Sequence, residues 1–167
     1  MNNELTKKDI EDMEAEIRHR KVVVRPELLE HVKEARAQGD LSENFEYYAA
    51  KREKNKNESR IRYLERMIKT ARVVDDASSD DEVGMNKTVT LRMEDDGSLE
   101  TYKIVTTMRK DSLKGLISIE SPLGKQLLGH KVGDRVTIKV DNNFSYDVTI
   151  EKIENTGLSE EDTIRSF

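Results

Sequence analysis

Apolar residues recur along the first part of the chain at helical spacing. Ile10, Met13, Ile17 and Val24 stand three, four and seven residues apart, the seam of a coiled coil. The pattern predicts a helix over residues 5–38, with Thr6 as its N-cap and Asp9 three positions on. Pro26 interrupts it. Proline lacks an amide proton and its ring collides with the carbonyl one turn back, so a kink or break is expected near Arg25. Leu28, Leu29, Val32 and Ala35 then restore the period. Gly39 ends the helix, because glycine enters the left-handed region cheaply. A second helix is predicted from just past Gly39 to about Val74, with Ile61, Leu64, Ile68 and Ala71 in its seam. Nearer its start the matching positions hold Ala50, Lys54 and Asn57. Two long helices joined by a tight turn make an antiparallel coiled-coil hairpin. At ~1.5 Å per residue, an arm of about thirty residues is roughly 45 Å long.

Past residue 75 the period changes. Residues 76–85 are acidic and polar and read as a linker. Residues 87–93 alternate apolar and polar, and Glu94-Asp95-Asp96-Gly97 is a turn before a second strand over 99–106. A short strand follows at 116–120. Ser121 and Pro122 then start a short helix, serine as cap and proline at its first position, ending near Gly129. Strands at 135–140 and 144–153 are joined by a turn at 141–143. The fold class is therefore α+β: the helical hairpin over 1–75, then a small antiparallel sheet with one short helix over 86–155. A polar tail at 156–167 reads as loose.

Charged residues make up 38% of the chain and hydrophobic residues 35%, which suits an extended, solvent-covered element better than one large core. The net charge of −5 is uneven. Residues 1–75 hold 17 basic against 16 acidic side chains, net +1, and residues 76–167 hold 12 against 18, net −6. An acidic total argues against a general nucleic-acid binder. There is no cysteine, so disulfide and thiol chemistry is excluded and a reducing compartment is compatible. The N-terminal residues lack the apolar core of a signal peptide and no run approaches a membrane span. The expectation is a cytoplasmic protein with no membrane partner.

The stretch QGDLSENFEYY, residues 38–48, carries the candidate chemistry. Asp40-Leu41-Ser42-Glu43 has the spacing of a capping box, Asp40 as N-cap and Glu43 three residues on. The same two carboxylates sit at the far end of a long arm, where they can enter another molecule's cleft. Two carboxylates suit Mg²⁺, which keeps several waters, and an ion so held can activate water against a phosphodiester. Its remaining ligands would come from a partner. Residues 51–72 carry nine basic residues against three glutamates. This is either a solvated helix face laced with ion pairs or a guide toward nucleic acid or an acidic channel; Lys51, Arg52, Lys54 and Lys56 are the positions nearest the tip. Phe45, Tyr47 and Tyr48 crowd the same end. Consecutive helical positions diverge, so all three cannot pack in one seam, and packing competes with stacking on a displaced base. His19, His31 and His130 show no metal-site spacing, and neither a nucleophile motif nor a glycine-rich phosphate loop is present.

Two segments carry a resemblance. EARAQGDLSENFEYYAAKREKNKNESRIRYLE, residues 34–65, is similar to the signature of the Gre family of transcription elongation factors, its GreA branch above all. ISIESPLGKQLLGHKVGDRVTI, residues 117–138, resembles the second signature of that family. The resemblance implies a sheet domain of FKBP-like fold that docks at the rim of the secondary channel of bacterial RNA polymerase. It implies a hairpin reaching down that channel to the active site. Asp40 and Glu43 then match the family's tip acids, which help hold a Mg²⁺ shared with the polymerase. Ser42 matches a supporting polar position, and Arg36 with Lys51 or Arg52 the basic positions near the tip. Docking residues fall among Ser121, Pro122, Leu123 and Gly124. The polymerase cleaves the nascent RNA 3′ end of a backtracked complex and elongation resumes; the factor is a cofactor, not an enzyme alone, and is expected to be a monomer. Two features depart from the pattern. Phe45 stands where the family usually carries a small residue, and the tail past residue 155 exceeds the usual end.

Two other readings stay open at this level. An inhibitory member of the family would occupy the channel without promoting cleavage. A prolyl isomerase would follow from the sheet domain, but needs an aromatic-lined pocket, and residues 76–167 supply only Tyr102, Phe144, Tyr146 and Phe167.

Overall fold

The computed structural model describes residues 3–39, 44–159 and 161–165. The chain divides into two units, one formed by Lys8–Ala71 and the other by Glu4–Lys7 together with the chain from Arg72 onward.

The first unit is the helical hairpin. Helix α1 (Lys7–His19) passes through a π-helical turn (Arg20–Val24) into α2 (Arg25–Arg36), and α3 (Phe45–Lys69) returns. The break expected at Pro26 is replaced by this widened turn. The Arg25 N–H donates to the Arg20 carbonyl, five residues back, so the chain gains a residue just before the proline ring would strike the carbonyl behind it. Met13, Ala35, Tyr47, Ile61 and Leu64 are buried in this unit. Ile10, Ile17, Val24 and Ile68, expected in the seam, are only half-buried, since two helices cannot enclose a full stripe of side chains.

Polar pairs cross between the arms where the seam is thin. Arg25 holds Glu58 through two bonds of 2.7 and 2.8 Å. Arg60, almost fully buried, and Arg20 both donate to Glu16 at 2.8 Å. Burial pushes the Glu16 carboxyl up, but its bonds to Arg60 and Arg20 and their charges outweigh that and hold it below the ordinary range. The second helix ends earlier than the pattern predicts. Residues past Thr70 form a strand, β2 (Ala71–Val73), and Leu5 likewise belongs to a strand, β1 (Asn3–Leu5), rather than to α1. The two pair with each other, and the Val74 N–H donates to the Leu5 carbonyl at 2.9 Å.

The second unit is built on a five-stranded sheet of β3 (Thr88–Met93), β4 (Leu99–Val105), β5 (Leu116–Ser118), β6 (Arg135–Lys139) and β7 (Ser145–Glu154), in the spatial order β5-β4-β3-β7-β6. It is not wholly antiparallel: β4 and β5 run parallel, Lys103 opposite Leu116. The crossover that a parallel pair requires is made by two 3₁₀ turns, Thr107–Arg109 and Ser112–Lys114. Val89, Leu91, Ile104, Val136, Ile138, Val148 and Ile150 form the core with Leu127 of α4 (Pro122–Leu127). Val83 and Met85 are buried in the same core, so the end of the stretch read as a linker packs with the sheet. The tail read as loose is tied at Asp162, which is buried, pairs with Lys103, and whose carbonyl accepts from the Arg109 guanidinium at 2.8 Å.

Candidate functional site: the hairpin end and an apolar groove

Helix α2 ends at Arg36. The Gln38 N–H donates to the Ala35 carbonyl at 3.3 Å, and Gly39 follows with φ of 130°, open to glycine and strained for other residues. Asp40, Ser42 and Glu43, the expected tip residues, lie outside the described residues. At Asn44 the capping differs from the expectation. The N-cap of α3 is Asn44, not Asp40: its Oδ1 accepts from the Tyr47 N–H at 2.9 Å. The opposite end of the same side chain reaches across the hairpin, Nδ2 donating to the Ala35 carbonyl at 2.6 Å.

Of the three aromatics, only Tyr47 is buried; Phe45 is 84% and Tyr48 45% exposed. Arg36 and Lys51 lie against the Tyr47 ring, at 5.6 and 5.9 Å from its centroid, a distance at which a cation is drawn to the ring face. The hydrogen bond from Arg36, with the charges of Lys51 and Lys54, holds the Tyr47 phenol below its ordinary range. The structure thus gathers Arg36, Lys51 and Lys54 around one aromatic, four and seven residues along α3 from it in the case of the lysines. Arg52 and Lys56 project from the other side of a 3.6-residue helix and are exposed. Sequence reasoning missed Asn44, although its residue type, directly before a helical run, is a capping signal.

In the second unit, Ser121 caps α4 as expected: its Oγ accepts from the Gly124 N–H at 3.1 Å and donates to the Ser118 carbonyl at 2.7 Å. Pro122 takes the first helical position. Gly124 is required there, because a Cβ would come within 2.1 Å of the Ser118 carbonyl oxygen. Pro122 and Leu123 line a cavity of about 260 Å³ together with Leu116, Ile117, Ile138 and Tyr146. The groove is apolar, and burial raises the Tyr146 phenol above its ordinary range. Of the four residues expected to dock, Ser121, Pro122 and Leu123 line this groove, while Gly124 is buried and does not line it.

Comparison with known proteins gives a consistent result. A family described as "Transcription elongation factor, N-terminal" matches residues 3–73, and one described as "Transcription elongation factor, GreA/GreB, C-term" matches residues 78–155. The chain is 44% identical over 153 residues to transcription elongation factor GreA of Streptococcus gordonii, covering 91% of this chain and 95% of that protein. It is 42% identical over 149 residues to GreA of Macrococcus caseolyticus, covering 89% and 94%. Among solved structures, GreA factor homolog 1 of Thermus thermophilus is 25% identical with a TM-score of 0.43, covering 92% of this chain and 99% of that one. Both units are matched and nearly the whole length is shared: the chain belongs to the GreA/GreB family of transcription elongation factors.

Proposed function

We propose that the protein binds bacterial RNA polymerase through the secondary channel and stimulates the polymerase's own cleavage of backtracked RNA 3′ ends. The observation that carries this reading is the cap of α3. Asn44 supplies the side-chain acceptor that starts the helix, so neither Asp40 nor Glu43 is consumed in that role. In this reading both carboxylates serve a partner. In this reading the chain is a monomeric cofactor and not an enzyme by itself.

The division of labour follows from the two units. The groove beside Ser121, Pro122 and Leu123 offers apolar area for docking. Arg36, Lys51 and Lys54 gather positive charge at the hairpin end around Tyr47, and that charge favours the RNA backbone. Arg52 and Lys56 add charge on the other face of α3. Asp40 and Glu43 are the hard oxygen donors that would hold Mg²⁺ jointly with the polymerase, and Ser42 is the supporting polar residue of the same stretch. Such an ion supplies charge neutralisation and a more acidic water. Among the described residues, no helix is long and apolar enough to cross a membrane.

The test uses a stalled, backtracked elongation complex with labelled RNA. Wild-type protein is expected to release short 3′ fragments, and Asp40→Asn/Glu43→Gln to release none while still competing for polymerase. Equal cleavage by both proteins would remove the acids from the mechanism. Slowed extension without fragments from either would make the protein an inhibitory channel regulator.

A further inference from the structure

We infer that Asn44 is a positioning residue for the tip carboxylates, acting as a clasp that fixes the end of α2 to the start of α3; this rests on the function proposed above. The Ala35 oxygen accepts the Gln38 N–H at 3.3 Å and the Asn44 Nδ2 at 2.6 Å. The chain therefore leaves α2 and re-enters at α3 bonded to the same atom. The Asn44 Oδ1 meanwhile accepts from the Tyr47 N–H, so the side chain spends its donor on one helix and its acceptor on the other. Ala35 and Tyr47 are both buried, which holds the two anchoring points still. In the sequence Asp40 and Glu43 fall between these two anchors.

The residue type follows from this double duty. Asp, Ser and Thr cap helices as well as Asn does. Only Asn pairs a fixed carbonyl acceptor with a separate NH₂ donor at the same reach. Aspartate would keep the cap but turn an oxygen toward the Ala35 carbonyl. A misplacement of about 1 Å in a reacting constellation can cost on the order of 100-fold in rate, so the clasp acts on the acids' efficiency and not on attachment to the polymerase.

The experiment compares wild type, Asn44→Asp and Asn44→Ala as full-length proteins. Cleavage of the backtracked complex is titrated against protein and against Mg²⁺, polymerase binding is read by competition, and amide hydrogen exchange is read in the free proteins. Asn44→Asp is expected to lower the maximal cleavage rate by about tenfold or more. The concentration giving half the effect stays within about twofold, because docking area is untouched. More Mg²⁺ is needed for the same rate, and amides at 38–44 exchange faster while the body of α3 does not. Asn44→Ala loses the cap too and exchanges faster into the first turn of α3. Wild-type cleavage by Asn44→Asp would overturn the inference, as would a loss explained wholly by weaker polymerase binding. If wild type itself releases no fragments, the proposed function fails, and the exchange data alone decide the clasp: unchanged exchange at 38–44 in Asn44→Asp overturns it.

Discussion

Asn57 engages Arg20 twice across the hairpin. Its Oδ1 accepts from the Arg20 guanidinium at 2.9 Å, and its Nδ2 donates to the Arg20 backbone carbonyl at 3.3 Å. That carbonyl is the one that closes the π turn with Arg25. Asn57 sits at a seam position and is 4% exposed, like the buried asparagines that set register in coiled coils at some cost in stability. Asn57→Ala is expected to destabilise the protein by about 1–3 kcal/mol, the cost of stranding buried polar partners. Urea unfolding followed by helical circular dichroism measures this; an unchanged midpoint would show that the contact is incidental.

Acidification should loosen the same region. The Glu16 carboxyl is depressed below its reference of 4.5 in the folded protein, so the folded state binds this proton more weakly than the unfolded state. The stabilisation is fully present above the unfolded value and is lost as pH falls through the lower, folded value. Urea midpoints recorded from pH 6 down to about 3 are expected to fall steeply below the reference in wild type. The drop should be shallower in Glu16→Gln, which starts less stable because Arg60 stays buried without its carboxylate. Parallel pH profiles for the two proteins would contradict this account.

Phe45 and Tyr47, two residues apart, should respond very unequally to truncation. The Phe45 ring is 84% exposed, and Phe45→Ala is expected to change stability by less than about 0.5 kcal/mol. Tyr47→Ala removes a buried ring that Arg36 and Lys51 both lie against and should cost about 3 kcal/mol. Thermal melts of the two variants side by side give the comparison.

Gly124→Ala tests the base of the groove. The added methyl meets backbone, the Ser118 carbonyl, at a separation no real contact tolerates, so α4 must shift. An expected loss of about 1–3 kcal/mol should come with weaker competition for polymerase. A variant as stable as wild type would mean that the turn at 118–121 yields freely.

What the chain discloses by itself depends on distance along it. The helical period of the hairpin, the alternation past residue 87 and the Ser121-Pro122 cap are local patterns, and the structure bears them out. The π turn was legible only as a disturbance at Pro26, because its five-residue bond depends on how the opposite arm meets Arg20. Asp40 and Asn44 both have capping chemistry, and spacing favoured the wrong one; the bond to Ala35 that distinguishes Asn44 spans nine residues. The parallel pairing of β4 with β5 and the anchoring of Asp162 on Lys103, 59 residues away, rest on partners that no window reveals. Asp40 and Glu43 stand out in the sequence by their likeness to a family signature, and they lie outside the described residues.

The widened turn at Arg20–Val24 has an angular consequence. A π turn takes up one residue more than an α turn, and each residue of helix advances the azimuth by about 100°. The widened turn absorbs that residue, so deleting it and restoring a plain α turn would leave α2 facing nearly as it does, whereas keeping the residue in a plain α turn would rotate the whole of α2 by about 100° about its own axis. Ala35 and Arg36 would then point away from Asn44 and Tyr47. The aim of the hairpin's far end is thus dialled in near Pro26, about two turns of helix or more from the residues being aimed.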